Sequence, residues 1–421
     1  MLTPLMSPLT GDTVWQGKHA SGLTVAVWPI PTARSAYAVF ATRYGSVNNT
    51  LPVPGGNETV PAGIAHYLEH KLFESEDGDA FQRFAATGAS ANAYTTFDHT
   101  AYLFNATDHI LPSLDILLDF VRHPYFTKET VEKEQGIIAQ EIRMGNDRPG
   151  NKLFYSTLES AYAHHPVKID IAGTEESIAR ITPELLYRCY ERYYDPHNML
   201  LAVAGRITPD EVWDAVERAI PAAAGVWTAP LPPEAEGGKP VQNRVENTMS
   251  IGIPQFCLGY KETPLSPSPV NTAVNVLLGE AIIGKSTRFG QSLIDKGWIS
   301  SPVEPSHFGG PGFGIWLFEG ETDRPEEVAD AIRQEVARLQ RDGFEPELVQ
   351  GLSRALYGQT VSALDDPTAC GDMLIDAWLK GFDPMADLDA LANISPELLH
   401  TQLCERLKEE NTVFSLLKPE E

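Results

Sequence analysis

The sequence predicts two α+β domains, each a mainly antiparallel sheet covered by helices. Three observations point there: strand-like runs lie among helical patterns in both halves, residues repeat across the halves at constant spacing, and a Pro-rich stretch separates them. Ile181-Thr-Pro-Glu-Leu-Leu186 returns as Ile394-Ser-Pro-Glu-Leu-Leu399, and Asn198-Met-Leu-Leu-Ala-Val as Asn411-Thr-Val-Phe-Ser-Leu, both offset by 213 residues. Such a repeat reads as an internal duplication. The stretch Thr228 to Gln242 suits an exposed linker, so the expected division is 1–227, a linker over 228–245, and 246–421.

Along the chain, residues 23–28 and 37–43 read as strands. Ile64, Ala65, Leu68 and Leu72 recur at helical spacing behind Pro61, which suits a first turn, and predict a helix over 61–74. Strands are expected at 94–97 and 102–105. Val131, Ile137, Ile138 and Ile142 then mark an amphipathic helix over 127–141. In the second half Val274, Leu277, Leu278, Ala281 and Ile282 predict a helix, and 313–319 a strand.

The first helix carries His66-Tyr-Leu-Glu69-His70. Residues four apart on a helix are neighbours on one face, so His66 and His70 can grip one metal ion with Glu69 beside them. A carboxylate so placed can take a proton from metal-activated water, in the inverse of the His-Glu-x-x-His order. The second helix carries Glu134 and Glu141 seven residues apart on one face, a source for a third ligand.

These residues resemble the pitrilysin and insulinase-type zinc peptidases, which include the mitochondrial processing peptidases. The family places its glutamate ligand some seventy residues after the second histidine, and here Glu141 follows His70 by 71. The resemblance implies one zinc per chain held by His66, His70 and Glu141, with Glu69 as general base and Glu134 as a supporting or proton-handling acid. Gly88 to Tyr102 resembles the family's strand pair beside the active helix, with Asn92 and Ala93 at substrate-contacting positions. An exposed strand edge there would bind extended peptides through main-chain hydrogen bonds. The resemblance covers most of residues 20–220 and also implies a processing-peptidase-like two-domain fold.

The second half aligns with the helix that carries the acids at an offset of 218, but Leu352 and Gln359 stand in place of Glu134 and Glu141. No second His-x-x-Glu-His occurs, so this domain is expected to be metal-free and to close over the substrate. Where many active members have an Arg and a Tyr seven apart, the chain reads Leu293-Ile-Asp-Lys-Gly-Trp-Ile-Ser300, with Lys296 the nearest substitute. The family's size pattern implies a homodimer, or a heterodimer with a non-catalytic relative. The rival reading is a non-catalytic peptide-binding or scaffold subunit.

Composition narrows the remaining classes. The 421 residues are 43% hydrophobic, enough for large cores, and the formal net charge of −25 disfavours nucleic acid and anionic membranes while favouring cationic peptides. The start lacks a basic leader with an apolar core, which makes cytoplasmic residence the expectation. Cys189, Cys257, Cys370 and Cys404 are too scattered for a thiolate site. Gly279 to Ser286 matches a phosphate-binding loop, yet its apolar residues continue a helical period, against a nucleotide site. His99, His109, His123, His164, His165 and His307 are isolated in sequence and read as structural or surface residues.

Overall fold

The computed structural model describes residues 1–53, 55–76, 78–222 and 227–420. Its strands in chain order are β1 (Thr3–Met6), β2 (Thr13–Lys18), β3 (Thr24–Pro29), β4 (Ala36–Thr42), β5 (Thr50–Val53), β6 (Gly56–Thr59), β7 (Glu74–Ser75), β8 (Gly78–Asp79), β9 (Ser90–Thr95), β10 (Thr100–Ala106), β11 (Met199–Gly205), β12 (Arg244–Met249), β13 (Gln255–Lys261), β14 (Glu304–Gly310), β15 (Phe313–Glu321) and β16 (Thr412–Pro419). The first large sheet has the order β1-β2-β3-β11-β4-β10-β9, and the second β12-β16-β13-β15-β14.

The duplication is visible in the topology. In each sheet the last strand of its half enters the middle, β11 parallel to β3 and antiparallel to β4, β16 parallel to β12 and antiparallel to β13. All other pairs of these two sheets are antiparallel. The helices that precede the two central strands, Pro183–Tyr193 and Pro396–Arg406, keep the offset of 213, and Thr182 and Ser395 cap them alike through hydroxyls that accept the amides of Leu185 and Leu398. The fold class is as the sequence predicts.

Packing divides the chain into two compact units, but not at one cut. The first holds Met1–Ile142, Asp170–Leu231 and Val361–Pro384; the second holds Arg143–Ile169, Pro232–Thr360 and Met385–Glu421. This differs from the division expected at 228–245, because each unit takes a helix from the other half of the sequence. Helix Pro367–Lys380 lies on β4 and β11 of the first unit, where Gly371 lets the backbone rest on the Tyr37 ring and the Arg43 guanidinium stacks 4.1 Å over Trp378. Helix Pro149–Ala161 lies on β12, β13 and β16 of the second, with Thr157 against Gly259 and Asn247 Nδ2 donating to Ser156 Oγ at 3.0 Å. A hydrophobic period shows that each helix buries a face, not which sheet receives it.

The second unit's core holds an ion cluster. Glu262 accepts from Arg406 Nε at 2.6 Å and lies 2.7 Å from His307 Nε2, while Arg406 Nη2 also donates to Asn275 Oδ1 at 2.6 Å. Thus His307, isolated in sequence, has an acidic partner in the fold, as His99 has Asp98. Burial pushes the Glu262 carboxyl up, but His307 and Arg406 outweigh it and hold it at about 2. Glu262→Gln leaves Arg406 uncompensated and should cost about 3–5 kcal/mol at neutral pH. Because the folded-state value is depressed, this contribution is fully present above the unfolded carboxylate range and is lost as pH falls toward and through about 2. Urea unfolding at pH 7 and pH 3 should therefore show the variant's deficit shrinking with acid; an equal deficit at both would refute the charge argument.

Candidate metal centre

Helix Ile64–Leu72 starts later than the sequence suggests. Pro61 lies in the turn before it, and Gly63 takes φ 88° as N-cap, where an added Cβ would meet the Ala172 carbonyl at 2.4 Å. Ile64, Ala65, Leu68 and Leu72 bury the apolar stripe in the core. Tyr67, also buried, donates its hydroxyl to the Val131 carbonyl at 2.5 Å and so ties this helix to helix Lys128–Asn146.

That second helix runs its acids past the histidines. His66 Nε2 lies 3.8 Å and His70 Nε2 3.5 Å from Glu141 Oε2, and one donor atom of each residue falls within 4.8 Å of the others. Tetrahedral zinc with ligands at about 2.0–2.1 Å separates donors by about 3.3 Å, so this set fits a zinc ion with small adjustments. It is the one such group among the described residues. His70 Nδ1 lies 2.9 Å from Glu134 Oε1, an arrangement that directs Nε2 toward the shared space. His66 Nδ1 is buried with no hydrogen-bond partner among the described residues.

Charge follows from burial and neighbours. Burial, with the like charge of His70, lowers His66 to about 3, so it stays a neutral donor across the physiological range. For His70 burial is outweighed by the hydrogen bond to Glu134 and by the carboxylates of Glu69, Glu134 and Glu141, and its value rises. Burial also raises Glu134, but the hydrogen bond and charge of His70, with Lys71 and Lys133, bring it below the usual range. Glu69, 8% exposed, is raised by burial against the opposing hydrogen bond from Thr95.

Asn92 and Ala93 lie on β9, the edge strand of the first sheet, where the Ala93 amide donates to Asn92 Oδ1 at 2.9 Å. The five expected centre residues are thus brought together, with the two expected substrate positions on the adjoining strand. Three contacts go beyond the residues singled out in the sequence: Thr95 on Glu69, the buried Lys71 paired with Glu74, and Asp170, raised by burial and by nearby Glu141. Alternation along β9 could have found Thr95, because it puts Thr95 on the same face as Ala93. In the second unit, helix Pro269–Ile283 runs through Gly279, and the Gly284 amide is taken by the Glu280 carbonyl, so the phosphate-loop resemblance has no loop behind it. Lys296 sits 5.0 Å over the Trp298 ring.

A sheet-and-helix duplication whose first half gathers two histidines and a glutamate able to hold a metal ion defines the class, and comparison with known proteins gives the family. Residues 56–175 match the family model for insulinase (peptidase family M16) and residues 180–356 the model for the peptidase M16 inactive domain. An uncharacterized zinc protease of Bacillus subtilis (strain 168), YmfH, is 38% identical over 87% of each chain. A solved putative M16-like peptidase from Alicyclobacillus acidocaldarius has a TM-score of 0.92 at 34% identity, covering 99% of this chain and 100% of that one. A protease from Helicobacter pylori shares the fold with a TM-score of 0.84 at 18% identity, covering 96% and 99%. The chain belongs to the insulinase family, peptidase family M16. No helix among the described residues is long and apolar enough to cross a membrane.

Proposed function

We propose that the chain is a zinc-dependent endopeptidase that hydrolyses small or unstructured peptides. The observation that carries this is the convergence of His66, His70 and Glu141 donor atoms with the Glu69 carboxylate alongside. Zinc held there by His66, His70 and Glu141 would supply a Lewis acid that polarises a peptide carbonyl and acidifies water. Glu69 takes the proton as water adds to the carbonyl and returns it to the leaving amine. Glu134 holds His70 by its Nδ1 and keeps Nε2 facing the metal position. An extended peptide adds to the free edge of β9, with Asn92 Oδ1 yielding the Ala93 amide to a peptide carbonyl. The names of the relatives, zinc protease and M16-like peptidase, support this reading.

The test is metal content and cleavage measured together. Purified protein should carry about one zinc, cut an unstructured-peptide pool, lose activity to a chelator and regain it with zinc. Zinc without cleavage would favour the non-catalytic, peptide-binding reading, and failure to bind zinc from metal-replete buffer would favour a scaffold. We further propose a peptide as the partner, cytoplasmic residence, and assembly as a homodimer or with a non-catalytic relative. Size measurement of the chain alone and with a co-encoded relative separates those assemblies; a monomer active in both would remove them.

A further inference from the structure

Strand β9 alternates its side chains across the sheet, so Ala93 and Thr95 share the face that meets helix Ile64–Leu72. On that face Thr95 Oγ1 donates to Glu69 Oε2 at 2.7 Å. Thr100, directly across the ladder from Thr95, commits its own hydroxyl proton to the Tyr44 carbonyl at 2.7 Å. The two threonine oxygens are 3.3 Å apart, and with Thr100's proton engaged elsewhere, the proton directed at Glu69 is that of Thr95. No hydrogen bond among the described residues engages Glu69 Oε1. The carboxylate therefore has one oxygen anchored to the sheet and one open.

From this geometry we infer that Thr95 is a positioning residue for Glu69: its hydroxyl fixes Oε2, and so assigns proton transfer to Oε1. The inference rests on the peptidase reading above. It also links two parts of that reading, since the strand that offers its free edge to an extended peptide is the strand that holds the base. Peptide docking and base alignment then share one element, and the carboxylate needs no reorientation after the peptide binds. A purely structural role for Thr95 would be met by any β-branched side chain, because its methyl and its strand geometry would then carry the contribution.

Thr95→Val keeps that shape and removes the hydroxyl, whereas Thr95→Ser keeps the hydroxyl and removes the methyl. If Thr95 positions Glu69, the Val variant should bind zinc like the wild type, keep KM within about twofold and lose about 10–100-fold in kcat. The Ser variant should recover to within about threefold of the wild-type kcat. Crystal structures of the zinc-free proteins give a readout independent of activity: one Glu69 carboxylate position in the wild type and Ser variant, a displaced or divided one in the Val variant. A Val variant with wild-type kcat and an unmoved carboxylate overturns the inference, as does a Ser variant as impaired as Val. Wild-type protein that holds zinc and cleaves nothing overturns the peptidase reading and this inference with it, so the two failures are told apart by the wild-type control.

Discussion

Glu69→Gln should leave about one zinc bound per chain and lower peptide cleavage by about 10³-fold. The amide has nearly the shape of the carboxylate and its oxygen can still accept the Thr95 hydroxyl, so the local fold has no reason to change. What it loses is a basic oxygen. General acid–base catalysis contributes about 10²–10⁴-fold, and Glu69 serves both proton transfers in the proposed reaction, which puts the expected loss well into that range. Its burial argues the same way. Burial raises the Glu69 carboxyl, and a carboxylate of raised proton affinity is a better base than an exposed one. Metal analysis beside steady-state kinetics checks the prediction. Cleavage within a few fold of the wild type would move the proton-handling role to another group, with Glu134 next in line.

How much of this was legible in the sequence depends on whether the signal is local. The His66, Glu69 and His70 constellation is local, since one turn of helix fixes its geometry, and the structure brings the two histidines together with Glu69 close enough to His70 to feel its charge. Glu141 lies far off in sequence, and its assignment came from a resemblance that the geometry matches. The duplication was also legible, because Thr182 and Ser395 cap equivalent helices and β11 and β16 enter equivalent places in their sheets. What escaped was tertiary choice. Nothing in Pro149–Ala161 says that it covers β13 and β16, and nothing in Pro367–Lys380 says that it covers β4 and β11. The same limit hid the Glu262, Arg406 and His307 cluster, whose members are scattered along the second half until the fold closes.

Removing a ligand should act on metal before it acts on rate, and the order of effects separates the acids. His66→Ala and His70→Ala should each lose zinc altogether at micromolar metal, with cleavage abolished and near-native circular dichroism. Glu141→Gln should weaken zinc less, because an amide oxygen still points at the site, but by more than about 100-fold. Glu134 stands one step back: it touches His70 Nδ1 at 2.9 Å and, on this reading, no metal. Loss of such an outer partner costs about 10–100-fold in metal affinity, so Glu134→Gln should keep zinc at high concentration and respond to added metal. Thermal unfolding with and without zinc checks the order without any substrate. Bound metal raises the midpoint in proportion to RT ln(1 + [Zn]/Kd), so the wild type should shift most, Glu134→Gln partly, and the histidine variants not at all. A Glu134→Gln protein as unresponsive as His70→Ala would make Glu134 a direct ligand. A Glu141→Gln protein that binds zinc like the wild type would remove Glu141 from the set, and with it the reason that helix Lys128–Asn146 runs past the histidines with its acids seven residues apart.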